Sequence, residues 1–158
     1  MLQYCAVYQP PSVLARPPSS GEPARVSEFV REVVNTAEAP AAVGNYNQAI
    51  VVTGGRTLYA SGQIGLVPGK PELGIPGDVA VQAEQVMRNL EAVLGAAGMA
   101  FANVVRATIY LADIDDFATV DAIYGRHFEA GLHPARATVQ AAALPRGARV
   151  EIDVVAVG

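Results

Sequence analysis

Few of the potential metal ligands and catalytic residues in this sequence have a spacing that is typical of a known kind of site. His127 and His133 are six residues apart with Glu129 between them, and this spacing is not typical of zinc ligands. Ser61 lies in Tyr-Ala-Ser-Gly-Gln rather than in the G-x-S-x-G turn of hydrolases, and neither common glycine-rich phosphate loop is present. The residues alone therefore predict no metal or nucleotide site. We expect His127 to be a helix-surface or packing residue and His133 to be a loop residue.

Composition narrows the class of protein. The chain has 158 residues, of which 51% are hydrophobic and 16% charged, so it is not a disordered chain and fits one domain. Its net charge of −4 makes nucleic acid an unlikely main partner, because proteins that bind phosphates are usually basic. No apolar run approaches the length of about 18 residues that a membrane span needs.

The first 30 residues differ from the rest of the chain. Four prolines between positions 10 and 18 disfavour both helix and strand, so we predict a flexible Pro-rich extension before a single domain over residues 31–158. The segment lacks the apolar core of a secretory signal, and its sparse arginines make organelle targeting a weak alternative. Cys5, the single cysteine, cannot form an internal disulfide. A cytoplasmic location is the simplest interpretation.

The hydrophobic pattern predicts six strand segments and two helices. Asp78 is a candidate N-cap of an amphipathic helix of about 19 residues that ends before Gly98, and a second helix begins at Asp115 or Asp116. Residues 49–53 and 57–61 flank Gly54-Gly55-Arg56, which indicates a β-hairpin. The other extended segments are residues 63–67, 104–112, 137–143 and 149–157, and a loop spans residues 68–77.

This order of elements predicts an α+β fold, with two helices on one face of a six-stranded mixed sheet. In residues 104–112 we expect Val105, Ala107, Ile109 and Leu111 to share one face. In the last strand, Val150 and Ile152 begin an apolar face, whereas Glu151 and Asp153 alternate with valines on the other. That second face is half apolar, so we expect it to be buried against partner subunits.

Four segments of the sequence resemble the RidA/YjgF family of reactive-intermediate (enamine/imine) deaminases. They are GNYNQA at residues 44–49, LYASGQI at 58–64, NVVRATIYLADIDDF at 103–117 and PARATVQAAALPRGARVEIDVVAV at 134–157. The last segment is the most specific, because it combines Pro-Ala-Arg, Ala-Leu-Pro-x-Gly and Val-Glu-Ile at fixed spacing. The resemblance covers residues 33–157 and leaves the N-terminal extension outside.

The resemblance implies a fold, an assembly and a reaction. The subunit would be chorismate-mutase-like, and three subunits would form a trimeric barrel with active sites in the clefts between them. The reaction would be hydrolysis of 2-aminoacrylate and related 2-imino acids to 2-keto acids and ammonia. These intermediates arise from pyridoxal-phosphate-dependent dehydratases that act on serine or threonine. The resemblance implies no cofactor and no metal.

The resemblance also implies roles for two residues in the reaction. Arg136 matches the family's substrate-binding arginine, whose guanidinium can pair with a planar carboxylate through two hydrogen bonds. Glu151 matches the acidic residue that would orient or deprotonate the attacking water. The structural alternatives are a salt bridge for Arg136 and an exposed strand carboxylate for Glu151.

Four further residues occupy positions that line the family's pocket. Tyr46 would form a wall and offer a hydroxyl, and Ser61 would donate a hydrogen bond to the substrate or water. Gly62 would let the backbone approach the ligand closely. Thr138 stands where the family holds the water with a backbone carbonyl. Each of the four could instead be a turn or packing residue.

The sequence departs from the family at several positions near this pocket. Asn45 and Asn47 replace a proline and a serine, and Gly65 replaces a common proline. Asp115 replaces a common asparagine, and its carboxylate could repel a substrate carboxylate. Two alternative functions stay open. One is a non-catalytic trimer that binds small carboxylates, and the other is an endoribonuclease or translation inhibitor.

Overall fold

The computed structural model describes residues 29–70 and 77–158 of the chain. The predicted N-terminal extension therefore lies outside the described residues, apart from residues 29 and 30, and so does part of the predicted loop at 68–77. The elements follow in this order: β1 Val30–Val34, β2 Ala49–Thr53, β3 Thr57–Ile64, α1 Val79–Ala96, β4 Val104–Leu111, α2 Phe117–Gly125, β5 Ala135–Gln140 and β6 Val150–Val157. Single 3₁₀ turns at Phe101–Asn103, Ile114–Asp116 and Pro145–Gly147 precede β4, α2 and β6.

The strands form two sheets rather than one. A four-stranded mixed sheet has the order β3-β6-β4-β5, in which β4 and β5 are parallel and the other neighbours are antiparallel. A separate antiparallel ribbon pairs β1 with β2. The α+β class with two helices and a mixed sheet is confirmed, but the predicted six-stranded sheet is wrong. The predicted segments at 57–61 and 63–67 form the single strand β3, and β1 was not predicted.

The hairpin predicted for residues 49–53 and 57–61 is wrong. Two glycines with positive φ, Gly54 and Gly55, turn the chain between β2 and β3, but these strands do not pair with each other. Arg56 and Gly158 exchange two backbone hydrogen bonds of 2.7 and 3.0 Å, which align β3 with β6 instead. Ala60 then lies opposite the buried Val154, whereas no residue of β2 is buried.

Helix α1 covers the four-stranded sheet. Its predicted N-cap is confirmed, because the Asp78 Oδ1 accepts a hydrogen bond of 3.1 Å from the Val81 N–H. Gly98 follows the helix with a φ of 72°, a left-handed conformation that suits glycine. The helix packs on β3 and β6. Its buried side is formed by Val79, Gln82, Ala83, Val86, Met87, Leu90 and Leu94.

Helix α2 packs beside α1 on the same side of the sheet, as predicted. Val120, Ile123 and Tyr124 are its buried residues, whereas Phe117 is partly exposed. In β4 the predicted alternation holds for Ala107, Ile109 and Leu111, which are buried, but not for Val105. A register shift between Val104 and Arg106 buries Val104 in place of Val105.

Among the described residues, no helix packs on the other face of the four-stranded sheet, which is here termed the helix-free face. Tyr59 lies opposite Val155 on this face and is 79% exposed, and Val139 of β5 is 45% exposed. Apolar side chains thus alternate with Asp153 and Glu151 on an open surface, in agreement with the half-apolar face expected from the sequence. Within the described residues, no helix combines the length and apolar character that crossing a bilayer requires.

Candidate functional site

Arg136 lies on the helix-covered face of the sheet. It stands opposite Ala107 in the parallel pairing of β4 and β5, and Ala107 belongs to the core. Its side chain is only 3% exposed. The guanidinium carbon lies 5.6 Å from the ring centres of Tyr46 and Phe117 and 5.2 Å from that of Tyr124. Three aromatic rings therefore surround one buried cation, an arrangement in which cation–π attraction compensates part of the lost hydration.

The guanidinium of Arg136 is paired with a carboxylate of the same chain. Its Nη1 donates a short hydrogen bond to Oδ1 of Asp121, whose side chain is 19% exposed. Asn45 donates to the same carboxylate from the other side, with its Nδ2 at 2.9 Å from Asp121 Oδ2 and 3.1 Å from the Asp121 carbonyl. The salt-bridge alternative considered for Arg136 is thus present in the isolated chain.

The loop at residues 43–48 brings Tyr46 to this cluster. The Tyr46 hydroxyl accepts a hydrogen bond from the Val43 N–H, and the Tyr46 N–H donates to the Gly44 carbonyl. A Cβ on Gly44 would lie 3.7 Å from Arg136 Nη2 and 3.8 Å from the Tyr46 ring, so this glycine sits against both. Asn47 fastens the loop by donating to the carbonyls of Gly131 and His133 at 3.1 and 2.5 Å.

Glu151 and Gly62 form a second group on the helix-free face. A Cβ built on Gly62 would fall 2.0 Å from Glu151 Oε1, so the carboxylate lies directly over the Gly62 backbone. Ser61 precedes it on β3 and is exposed, and its carbonyl accepts from the Gln63 side chain. The absence of a side chain at Gly62 therefore leaves the space that Glu151 occupies.

One chain does not bring the two groups together. Arg136 is on the helix-covered face and Glu151 on the other, and β4 lies between their strands. Tyr46 and Arg136 belong to the first group, and Gly62 and Glu151 to the second. Thr138 points to the same face as Arg136, and its buried Oγ1 has no hydrogen-bond partner among the described residues.

Burial also changes the titration of groups around Arg136. Loss of hydration raises the pKa of the Tyr124 phenol well above its usual value, although the charge of Arg136 acts in the opposite direction. Burial lowers the pKa of His133, and the nearby Arg136 cation lowers it further.

His127 is stacked on Phe101 at 4.8 Å between ring centres, so the prediction of a packing role is confirmed. Burial also lowers the pKa of His127.

A model of the family described as endoribonuclease L-PSP matches residues 36–158. The chain belongs to this family. The resemblance to RidA/YjgF proteins is therefore confirmed, and every predicted site residue lies inside the part of the chain that matches endoribonuclease L-PSP.

Similar proteins carry several names within the endoribonuclease L-PSP family. Protein DfrA of Myxococcus xanthus is 53% identical over 82% of this chain and 97% of its own length. The 2-iminobutanoate/2-iminopropanoate deaminase of Rattus norvegicus is 51% identical over 84% of this chain and 93% of its own length. The crystal structure of RidA from Psychrobacter is 39% identical, with a TM-score of 0.61 over 80% of this chain and 99% of that one.

Asp121 is a residue of the candidate site that sequence reasoning missed. The expectation about an extra carboxylate was placed on Asp115, which is exposed in the turn before α2. Phe117, Asp121 and Tyr124 share one side of α2 at spacings of i, i+4 and i+7. A carboxylate on the side that carries Tyr124 needs a cation partner, and this was the signal that could have found it.

A groove adjoins Gly62 on the helix side of β3. It has a volume of about 640 Å³ and runs between the end of β3, the chain at residues 66–69 and helix α1. Asn89 of α1 holds the end of β3 and the chain after it against the helix, because its Nδ2 donates to the carbonyls of Ile64 and Leu66 at 3.0 and 2.9 Å. The Gly65 backbone packs so closely on α1 that a Cβ there would lie 3.0 Å from the backbone of Gln82.

Proposed function

We propose that this protein is a cofactor-independent deaminase that hydrolyses 2-imino acids and their enamine tautomers to 2-keto acids and ammonia. The substrates are the 2-aminoacrylate-type products of pyridoxal-phosphate-dependent dehydratases. The rat relative that bears the name 2-iminobutanoate/2-iminopropanoate deaminase shares 51% identity over most of both chains. The structural observation that carries the proposal is Arg136, a buried guanidinium held in a cage of three aromatic rings.

Arg136 binds the substrate carboxylate in this proposal. Its planar fork can donate two parallel hydrogen bonds to a carboxylate, and burial strengthens such a charge-assisted pair. Tyr46 limits the space beside the guanidinium, which suits the small side chains of alanine- and butyrate-derived imines. Thr138, on the same face two residues further along β5, supplies the backbone carbonyl that holds the water.

Glu151 acts on the water that attacks the imine carbon. The carboxylate accepts a proton as the water oxygen bonds to that carbon, and the C=N bond becomes a C–N single bond in a carbinolamine. Glu151 then returns that proton to the nitrogen and accepts the hydroxyl proton as the C=O bond forms and the C–N bond breaks, so ammonia leaves and the 2-keto acid remains. Because Gly62 has no side chain, it leaves the space that Glu151 occupies. Ser61 donates a hydrogen bond to the substrate or the water.

The active site is shared between subunits of a homotrimer. Arg136 and Glu151 occupy opposite faces of the same sheet, so one small substrate meets both only when they come from different chains. The exposed Tyr59 and Val139 lie on the face that a neighbour would cover. Burying such apolar surface supplies the driving force for association. The cytoplasmic location expected from the sequence stays a prediction.

RNA cleavage is the alternative that the family description raises. The net charge of −4 and the calculated isoelectric point of about 5.1 argue against a phosphate-binding surface. A non-catalytic carboxylate-binding trimer would use the same Arg136 without turnover. It differs from the deaminase in one respect only, the absence of imine hydrolysis.

A dehydratase-coupled assay tests the function. A serine or threonine dehydratase generates the imine, and its loss is followed with wild-type protein, Arg136→Ala and Glu151→Gln. We expect acceleration by the wild type and a loss of at least about a hundredfold in each variant, the scale of a missing acid–base group. Unchanged decay of the imine in the presence of folded wild-type protein would reject the deaminase. Saturable binding of a keto acid in that case would support the binding protein.

A further inference from the structure

We propose that Asp121 is an internal competitor for Arg136, so that the charge at residue 121 sets how tightly the protein binds 2-oxo and 2-imino acids. The inference rests on the proposed function, which makes Arg136 the carboxylate-binding residue. Asp121 then acts on affinity and on product release rather than on the chemical step.

The Asp121 carboxylate is held by two donors, Arg136 and Asn45. Asp121 accepts from Arg136 Nη1 through Oδ1, and from Asn45 Nδ2 through Oδ2 at 2.9 Å. Asn45 also donates to the Asp121 carbonyl at 3.1 Å, so the loop before Tyr46 holds helix α2 and its carboxylate together. Both oxygens of Asp121 are therefore engaged, and the carboxylate is not free to turn away from Arg136 without breaking a second contact.

A substrate carboxylate competes with Asp121 for the same buried cation. Asp121 takes one of the five N–H donors of the guanidinium, at Nη1, so the competition comes from charge and space rather than from a shortage of donors. The rings of Tyr46, Phe117 and Tyr124 lie around the guanidinium, and its side chain is 3% exposed, so little room is left for a second anion. Two carboxylates at one cation also repel each other. The incoming anion must therefore displace Asp121, and this requirement weakens its binding.

Asp121→Asn tests the inference, because it removes the charge and keeps the size of the side chain. The probe is 2-oxobutanoate, a keto acid of the product class, and its Kd is measured by calorimetry. We expect the Kd to fall about tenfold in the variant, the scale of one charged hydrogen bond. The matched control is Asp116→Asn, whose carboxylate pairs with Arg149 at 2.7 Å and does not meet Arg136. An unchanged or higher Kd in Asp121→Asn would overturn the inference.

A structural measurement on the wild type does not depend on the variant folding. In crystals soaked with 2-oxobutanoate, we expect its carboxylate on Arg136 and Asp121 turned away from the guanidinium. A keto acid bound to Arg136 while the Asp121 contact stays intact would overturn the inference. Tighter binding in Asp121→Asn without any imine hydrolysis would support it and reject the proposed function. Imine hydrolysis by the wild type together with an unchanged Kd in Asp121→Asn would support the proposed function and overturn the inference.

Discussion

At the scale of single residues, Gly62 is the clearest link between local structure and the candidate chemistry. Glu151 occupies the space where any other residue would place its Cβ, 2.0 Å from Oε1. We therefore expect Gly62→Ala to displace the carboxylate and to reduce imine hydrolysis by at least about tenfold, since small displacements of a catalytic group cost that much or more. Steady-state rates in the dehydratase-coupled assay measure the loss.

Gly95→Ala is the matched control for this substitution. Gly95 lies in helix α1, and a Cβ there would meet no heavy atom within 4 Å. The alanine should leave hydrolysis unchanged and raise the free energy of unfolding by about 0.5–1 kcal/mol, because glycine weakens helices. Equal activity in the two alanine variants would contradict the role given to Gly62.

The two histidines give the protein a predictable pH dependence of stability. Burial lowers the pKa of both His127 and His133 from the ordinary value of 6.5, so the folded chain binds fewer protons than the unfolded chain as the pH falls. Stability must then decrease below about pH 6.5 and be retained above it. We expect the urea midpoint to fall between pH 7.5 and pH 5.5, and to fall less in a His127→Gln, His133→Gln double variant. Parallel losses in both proteins would show that these histidines do not contribute.

At the scale of elements, helix α1 depends on a cap that is visible in the sequence. Asp78 satisfies the Val81 N–H at the start of the helix. Replacement by alanine leaves that donor without its partner, and we expect a loss of about 1 kcal/mol in the free energy of unfolding, measured by urea denaturation. Glu91→Ala, an exposed substitution on the same helix, should change it by less than about 0.5 kcal/mol. Equal losses in the two variants would contradict the cap.

The elements differ in how far sequence could predict them. Helix α1 was predictable because its apolar period, its N-cap and Gly98 all act within a few residues of the chain. The pairing of β3 was not, because its partner β6 is about ninety residues away and the local turn at Gly54-Gly55 suggested β2 instead. Pairing across the sheet depends on which distant strand offers a buried face, and a local pattern does not contain that information.

The candidate site was likewise only partly predictable from the sequence. Arg136, Glu151 and Gly62 could be named from motifs, because the resemblance to a family identifies residue types at fixed spacings. Their surroundings could not be named, because the partner of Arg136 comes from another element. Asp121 precedes it by fifteen residues and reaches it only after α2 has packed beside α1 on the sheet. Asn45 joins the same carboxylate from a loop that lies much earlier in the chain.

At the scale of the whole molecule, the helix-free face is the surface through which we propose that the subunits associate. Tyr59 lies on this face in the edge strand β3 and is 79% exposed in the single chain. We expect wild-type protein to sediment at three times the 16.4-kDa chain mass and Tyr59→Glu to sediment as a smaller species, because the substitution would bury a charge in the interface. Val81→Glu, on the exposed side of α1, should leave the mass unchanged. A wild-type mass of one chain would contradict the trimer.

Separation of Arg136 and Glu151 on two faces makes the shared site the central claim, and subunit mixing tests it most directly. Arg136→Ala and Glu151→Gln chains, which we expect to be inactive alone, are unfolded, mixed in equal amounts and refolded together beside a wild-type sample treated alike. In a shared site, an intact Arg136 from one chain meets an intact Glu151 from its neighbour in about one quarter of the clefts of a cyclic trimer. We therefore expect imine hydrolysis at about one quarter of the refolded wild-type rate. A mixture as inactive as its parents, beside a recovered wild type, would contradict the shared site.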